Sequence, residues 1–157
     1  MMIDWLAVAR AIHVLSIVHW IGGLLFVTFV ILPSLRELEP HLRVEMFEKL
    51  ERRFAVQARV SVLLAGVSGF YMLDAFGHWS RIADPRFWWL GAMIALWVIF
   101  TIMLFLAEPL FLHAWFGRRA AHDPDGAFRL ALRGHRILSV FAAITVMGAT
   151  AGAHGLF

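Results

Sequence analysis

Cysteine is absent from this chain of 157 residues. Its absence excludes a disulfide framework, a thiolate metal site and a catalytic thiol. Charge is sparse, with only 16% of residues Asp, Glu, Lys or Arg. No Pro/Gly/Ser-rich linker, low-complexity segment or clear internal repeat divides the chain, so residues 1–157 are expected to form a single domain. What remains is apolar: 61% of residues are hydrophobic and the mean hydropathy is +0.76. Both lie well above the soluble globular norm.

Four stretches, roughly 7–32, 57–76, 87–112 and 136–157, are long enough to cross a bilayer, which takes about 20 apolar residues. The first exceeds the hydrophobic region of a signal peptide and no small-x-small cleavage site follows it, so it is expected to remain as a span. The predicted fold is therefore all-α, an integral membrane four-helix bundle running up-down-up-down. Arg36, Arg43, Lys49, Arg52, Arg53 and Arg59 lie between or beside the first two spans, and Arg118, Arg119, Arg129, Arg133 and Arg136 between the last two. Only Arg10, Arg81 and Arg86 belong to the other side. The positive-inside rule then places both long loops in the cytoplasm and both termini outside, as in a multi-pass protein of a bacterial inner membrane. The basic pI near 10.5 is explained by this topology, and nucleic acid is not an expected partner.

Residues 35–56 repeat apolar positions at helical spacing (Val44, Phe47, Leu50, Phe54) with charges opposite them, which predicts an interfacial helix leading into the second span. Trp79, Trp88 and Trp89 fit an aromatic belt at the outer interface. Asp123-Pro124-Asp125-Gly126 is a turn signal. Ser61, Ala65 and Gly69, and Gly148 and Gly152, recur every four residues. That spacing lets helix backbones approach closely, or leaves room for a flat cofactor.

The histidines carry the functional information. Ionisable side chains inside a span usually face a protein interior, a water path or a cofactor. Hydrocarbon is expected to begin near Arg10, which places His13 about 5 Å deep. His154, three residues from the C-terminus, lies at a similar depth on the fourth helix. Two neutral imidazoles on neighbouring helices, with no thiolate, suit the axial positions of a haem iron. Arg10, Arg81 and Arg86 are candidates for pairing with haem propionates. His19 is turned by about 120° from His13 and lies near the midplane, where an interhelical hydrogen bond, a second ligand site or a proton relay are the readings. Glu108, His113 and His135 come to one level at the basic end as an alternative metal or proton site, or as solvated and paired residues. His41, His78 and His122 lie in loops.

Ile12-His13, eight residues and then Gly22-Gly23, with Trp20 between, resembles the first helix of the CopD-like and HemJ-like membrane proteins. Glu51-Arg52-Arg53-Phe54, Phe87-Trp88-Trp89, Glu108-Pro109-Leu110-Phe111-Leu112-His113 and Ala153-His154-Gly155-Leu156 extend the resemblance to small stand-alone CopD-like bacterial proteins. CopD-like proteins are associated with copper uptake, and HemJ-like proteins bind haem b and oxidise protoporphyrinogen, so the resemblance implies a haem or copper cofactor. Both groups often carry a histidine near the start of the third helix. Trp89-Leu90-Gly91-Ala92 has none here, which leaves His154 as the partner for His13.

The expected function is a membrane-embedded, cytochrome b-like haem b protein. It would work in electron transfer with a quinone or another redox protein, or in haem-dependent oxidation. The alternatives are copper transport or delivery, and a non-catalytic subunit or assembly factor of a larger membrane complex. Soft Cu(I) prefers Cys and Met, and Met1, Met2, Met46, Met72, Met93, Met103 and Met147 form no close cluster within a span. Lipid contact and self-association are the remaining partner expectations.

Overall fold

The computed structural model describes residues 3–156. Met1, Met2 and Phe157, the last residue of the fourth expected span, lie outside them. Four long helices account for nearly all of it: α1 Trp5–Leu35, α2 Pro40–Ala75, α3 Pro85–His122 and α4 Pro124–Ala153. Each is long and apolar enough to cross a membrane, and the protein is an all-α, multi-pass membrane protein.

The helix ends follow from local chemistry. Asp4 opens α1 by accepting the backbone N–H groups of Leu6 and Ala7. Pro40 and Pro124 sit at first-turn positions, where a missing N–H costs nothing. Asp123 caps α4 through the Gly126 N–H at 2.8 Å. After α2, Gly77 takes a left-handed φ of 64° and turns the chain into a short 3₁₀ segment, Trp79–Ala83.

The helices run past the expected spans at the end where the basic residues gather. The amphipathic stretch expected over 35–56 starts at Pro40, after a turn at 36–39, and from there runs into the second span as one unbroken helix. The α3–α4 connection shrinks to the turn at Asp123. The cause is a second core beyond the apolar runs: Leu32, Leu35, Phe47, Phe128 and Leu132 pack together, with Val44, Ala120 and Ala127 alongside. Arg43 closes it with an ion pair to Asp125 at 2.7 Å. Charges on the outward faces of these extensions interrupt the apolar pattern without interrupting the helices.

The main core lies within the apolar stretches. Trp20, Leu24, Val62, Leu96, Phe100 and Ala142 join α1, α2, α3 and α4, with the Trp20 and Phe100 rings edge to face at 4.8 Å. The small residues act as notches for aromatic rings. Gly23 receives Phe54, Gly66 receives Trp97, Gly148 receives Trp88 and Gly152 receives Trp89. Trp89, expected in an interfacial belt, is instead 6% exposed, because Gly152 offers its ring a place inside the bundle. The packing role expected of the glycine stripe on α4 is the one the structure shows.

Candidate functional site

The first two helices meet along a seam of neutral polar groups. His13 Nδ1–H donates to the Ala65 carbonyl at 2.9 Å, with the Ser68 hydroxyl 3.3 Å away. A carbonyl only accepts, so Nδ1 carries the proton and the neutral ring keeps its lone pair on Nε2. Ser68 in turn donates to the Leu64 carbonyl. Gly69 makes room for the ring: a Cβ there would come within 3.0 Å of His13 Cε1. Further along α1, His19 Nδ1 and Ser61 Oγ are 2.8 Å apart. There either atom can be the donor, because a hydroxyl both gives and accepts a proton.

His154 follows the last residue of α4 and is exposed. Its Nδ1–H donates to the Thr150 carbonyl at 2.7 Å, which again leaves Nε2 as the lone-pair nitrogen. The structure thus brings His13 to α2 and His154 to its own helix, and no hydrogen bond among the described residues joins the two. Of the three arginines expected near them, Arg10 is exposed. Arg81 lies over the Phe87 ring at 4.8 Å, and Arg86 pairs with Asp84 at 2.7 Å. Those Arg86 hydrogen bonds hold the Asp84 carboxyl below its ordinary value.

The opposite, basic end is ionic. Arg59 donates from Nη2 to Glu108 at 2.6 Å and from Nε to the Leu104 carbonyl at 3.0 Å. The second bond has a backbone cause. Residues Met103–Leu112 form a π-helical stretch containing Pro109. In the i→i+5 register the Leu104 carbonyl would accept from residue 109, and proline has no N–H to give. The Arg59 guanidinium supplies the missing donor.

Glu108, His113 and His135, expected at one level, each find a different partner. His113 Nε2 lies 3.4 Å from Arg52 Nη2. His135 donates to the Ala131 carbonyl at 3.0 Å and packs edge to face on Phe47. Among the described residues no group of three or more His, Asp or Glu side chains is placed to hold a metal ion. Glu51 precedes the apolar stretch 57–76, about 36 Å along α2 from Ala75 and so beyond a hydrocarbon layer of about 30 Å. Burial, followed by the nearby Glu108 and Glu48 carboxylates, pushes its carboxyl up to about 7.

Reading the sequence missed Ser61, Ser68, Arg59 and Glu51 as site residues. Ser61 and Ser68 stand seven residues apart, two turns of one helix face, as partners for the histidines of α1 would. Ser61 reads instead as a member of the small-residue stripe.

The family model for "Domain of unknown function (DUF4149)" matches residues 15–120, a stretch that takes in His19, Arg59 and Glu108 and leaves His13 and His154 outside. An uncharacterized protein of Aquifex aeolicus (strain VF5) is 34% identical over 59 residues, which is 37% of this chain and 41% of that protein. The match thus covers less than half of that relative. No solved structure matches the chain.

Proposed function

As a member of the domain-of-unknown-function family DUF4149, to which this chain belongs, the protein inherits no activity, and we propose from its own residues that it is a membrane-embedded haem b protein. His13 and His154 would hold the haem iron through their Nε2 atoms. The termini end faces outward and the basic end the cytoplasm, with four helices running up-down-up-down through a bacterial inner membrane.

The observation that carries this reading is the His13 hydrogen bond to the Ala65 carbonyl. Metal-ligating histidines donate their other ring N–H to a carbonyl or carboxylate, which fixes the tautomer and raises ligand basicity. His154 is prepared in the same way by Thr150. The donor set fits a haem. A bare copper ion in a nitrogen and oxygen site needs several protein donors, and no such group gathers among the described residues. A haem brings four nitrogens of its own and asks the protein for two. That difference favours haem over copper here.

When bound, the haem supplies one-electron chemistry, and the chain's contribution is ligation, burial and charge. Ala65 and Ser68 orient the His13 ring. Gly69 gives it clearance. Arg10 stands at the same end to meet a propionate, whereas Arg86 is engaged by Asp84. The physiological partners are a lipid-borne quinone or another redox protein.

The test is the absorption spectrum of detergent-purified His13→Ala, His154→Ala and His19→Ala, with helicity checked by circular dichroism. Loss of the reduced α band in the first two variants and its retention in the third are expected. An intact band in His13→Ala would remove His13 from the site.

A further inference from the structure

His13 and His19 share one helix but not one environment. His13 turns into the seam with α2, whereas His19 is exposed at the edge of that seam. At about 100° per residue, Leu15, Val18, His19, Gly22, Phe26 and Phe29 fall within an arc of about 100° on α1, and all six are exposed. The large members are bare to the surroundings: Leu15 is 70% and Val18 63% exposed. Five of the six suit lipid. The sixth does not. His19 lies nine residues past Arg10, about 14 Å in, close to the middle of a hydrocarbon layer of about 30 Å. Its Nδ1 has Ser61, while Nε2 is left on the lipid-facing side at a depth where a polar atom without a partner is costly.

We propose that this face of α1 is a homodimer interface, in which His19 Nε2 hydrogen-bonds to the partner's His19 across a two-fold axis along the membrane normal. Three features point to a second copy rather than to another occupant. A two-fold axis along the normal brings the same residue to the same depth, so the midplane imidazole meets its own kind and nothing else on either chain has to match it. Gly22, one turn away, has open space where a Cβ would stand, which allows the two helices to approach closely. The third is the tautomer. A bond between two neutral imidazoles needs one Nε2–H donor and one Nε2 acceptor. His13 is held in a single tautomer by the Ala65 carbonyl. The Ser61 hydroxyl instead serves both forms of His19, accepting from Nδ1–H in one protomer and donating to Nδ1 in the other. The proton balance therefore closes with both rings neutral. The interface uses neither His13 nor a bound haem, so apoprotein and holoprotein dimerise alike.

The absence of cysteine makes the test direct. Val18→Cys and, as a control, Ile144→Cys on the exposed side of α4 are made in the full chain and cross-linked in native membranes. A covalent dimer through Val18→Cys and none through Ile144→Cys is expected. Fluorescence energy transfer between labelled protomers in liposomes then compares His19→Leu and His19→Gln. The leucine variant should dissociate about tenfold more readily, the scale of one interhelical hydrogen bond in a bilayer. The glutamine variant, whose amide both donates and accepts, should keep the dimer. A monomer with no selective cross-link, a cross-link to a different protein, or a His19→Leu dimer as tight as wild type would each overturn the proposal.

Discussion

The two ends of the bundle solve the problem of polarity in an apolar environment in opposite ways. In the seam of α1 and α2, from the termini end to the midplane, the polar groups are neutral, with imidazoles on carbonyls and hydroxyls at His13, Ser68, His19 and Ser61, and the ion pair of Arg86 with Asp84 lies outside that seam, in the loop before α3. At the basic end the polar groups are charged and paired, as in Arg59 with Glu108 and Arg43 with Asp125. The difference separates holding from offering. An ion pair satisfies itself and leaves nothing for a ligand, so the basic end holds α2 to α3 and to α4. A histidine tied through Nδ1 still has Nε2 to offer: His135 at the basic end is packed on Phe47, and the proposed haem site draws instead on His13 and His154 at the termini end.

The largest effect that tests this contrast is at Arg59. Arg59→Met strands Glu108 and the Leu104 carbonyl together, and should destabilise the protein by about 3 kcal/mol. That is the low end for breaking a buried pair, because the partners keep 30% and 24% of their side-chain surface exposed. Detergent-solubilised unfolding curves measure it. Arg59→Lys should recover only part of the loss, because an ammonium does not reproduce the fork that reaches both Glu108 and Leu104. A loss confined to ligand binding, with stability unchanged, would reverse the roles given to the two ends.

At the termini end the expected large effect is steric rather than ionic. Gly148→Val drives a side chain into the Trp88 ring and should cost about 2 kcal/mol through overpacking, read as a lowered melting temperature. An unchanged melt would mean that the ring is not held in the notch.

The same contrast predicts a pH dependence at the basic end. The Glu51 carboxyl is pushed up to about 7, above its value in the unfolded chain, so the folded state binds the proton more tightly. Its contribution to stability is full at low pH and is lost as pH rises from about 5 through 7. Glu51→Gln should therefore match wild type near pH 5 and become the more stable of the two near pH 8, in paired melts across that range. Parallel curves would place Glu51 in contact with water.

The helices were legible in the sequence where the physics is one-dimensional. Runs of apolar residues of bilayer length find all four. Of the extensions at the basic end, that of α2 was legible as an amphipathic helix through Val44 and Phe47, whereas those of α3 and α4 were not, because Arg118 and Arg129 break the hydrophobic run and the faces that pack inward, Phe116 and Phe128, show themselves only when the helices converge. His13 stood out in the sequence by its depth. Its partners did not, since Ser68 lies 55 residues away and serine at small-residue spacing reads as packing. The Arg59–Leu104 bond was beyond reach for a different reason. It follows from a π register around Pro109, and a proline in a sequence does not reveal which carbonyl it orphans.

The proposed haem site rests on an imidazole offered to the iron at the termini end. Its most direct test is the absorption spectrum of wild-type protein, oxidised and dithionite-reduced, with metal analysis of the same sample. A sharp reduced α band and about one iron per chain, the signature of a bis-histidine haem, is the predicted result. A featureless spectrum without iron, from protein purified with haem supplied to the cells, would contradict it.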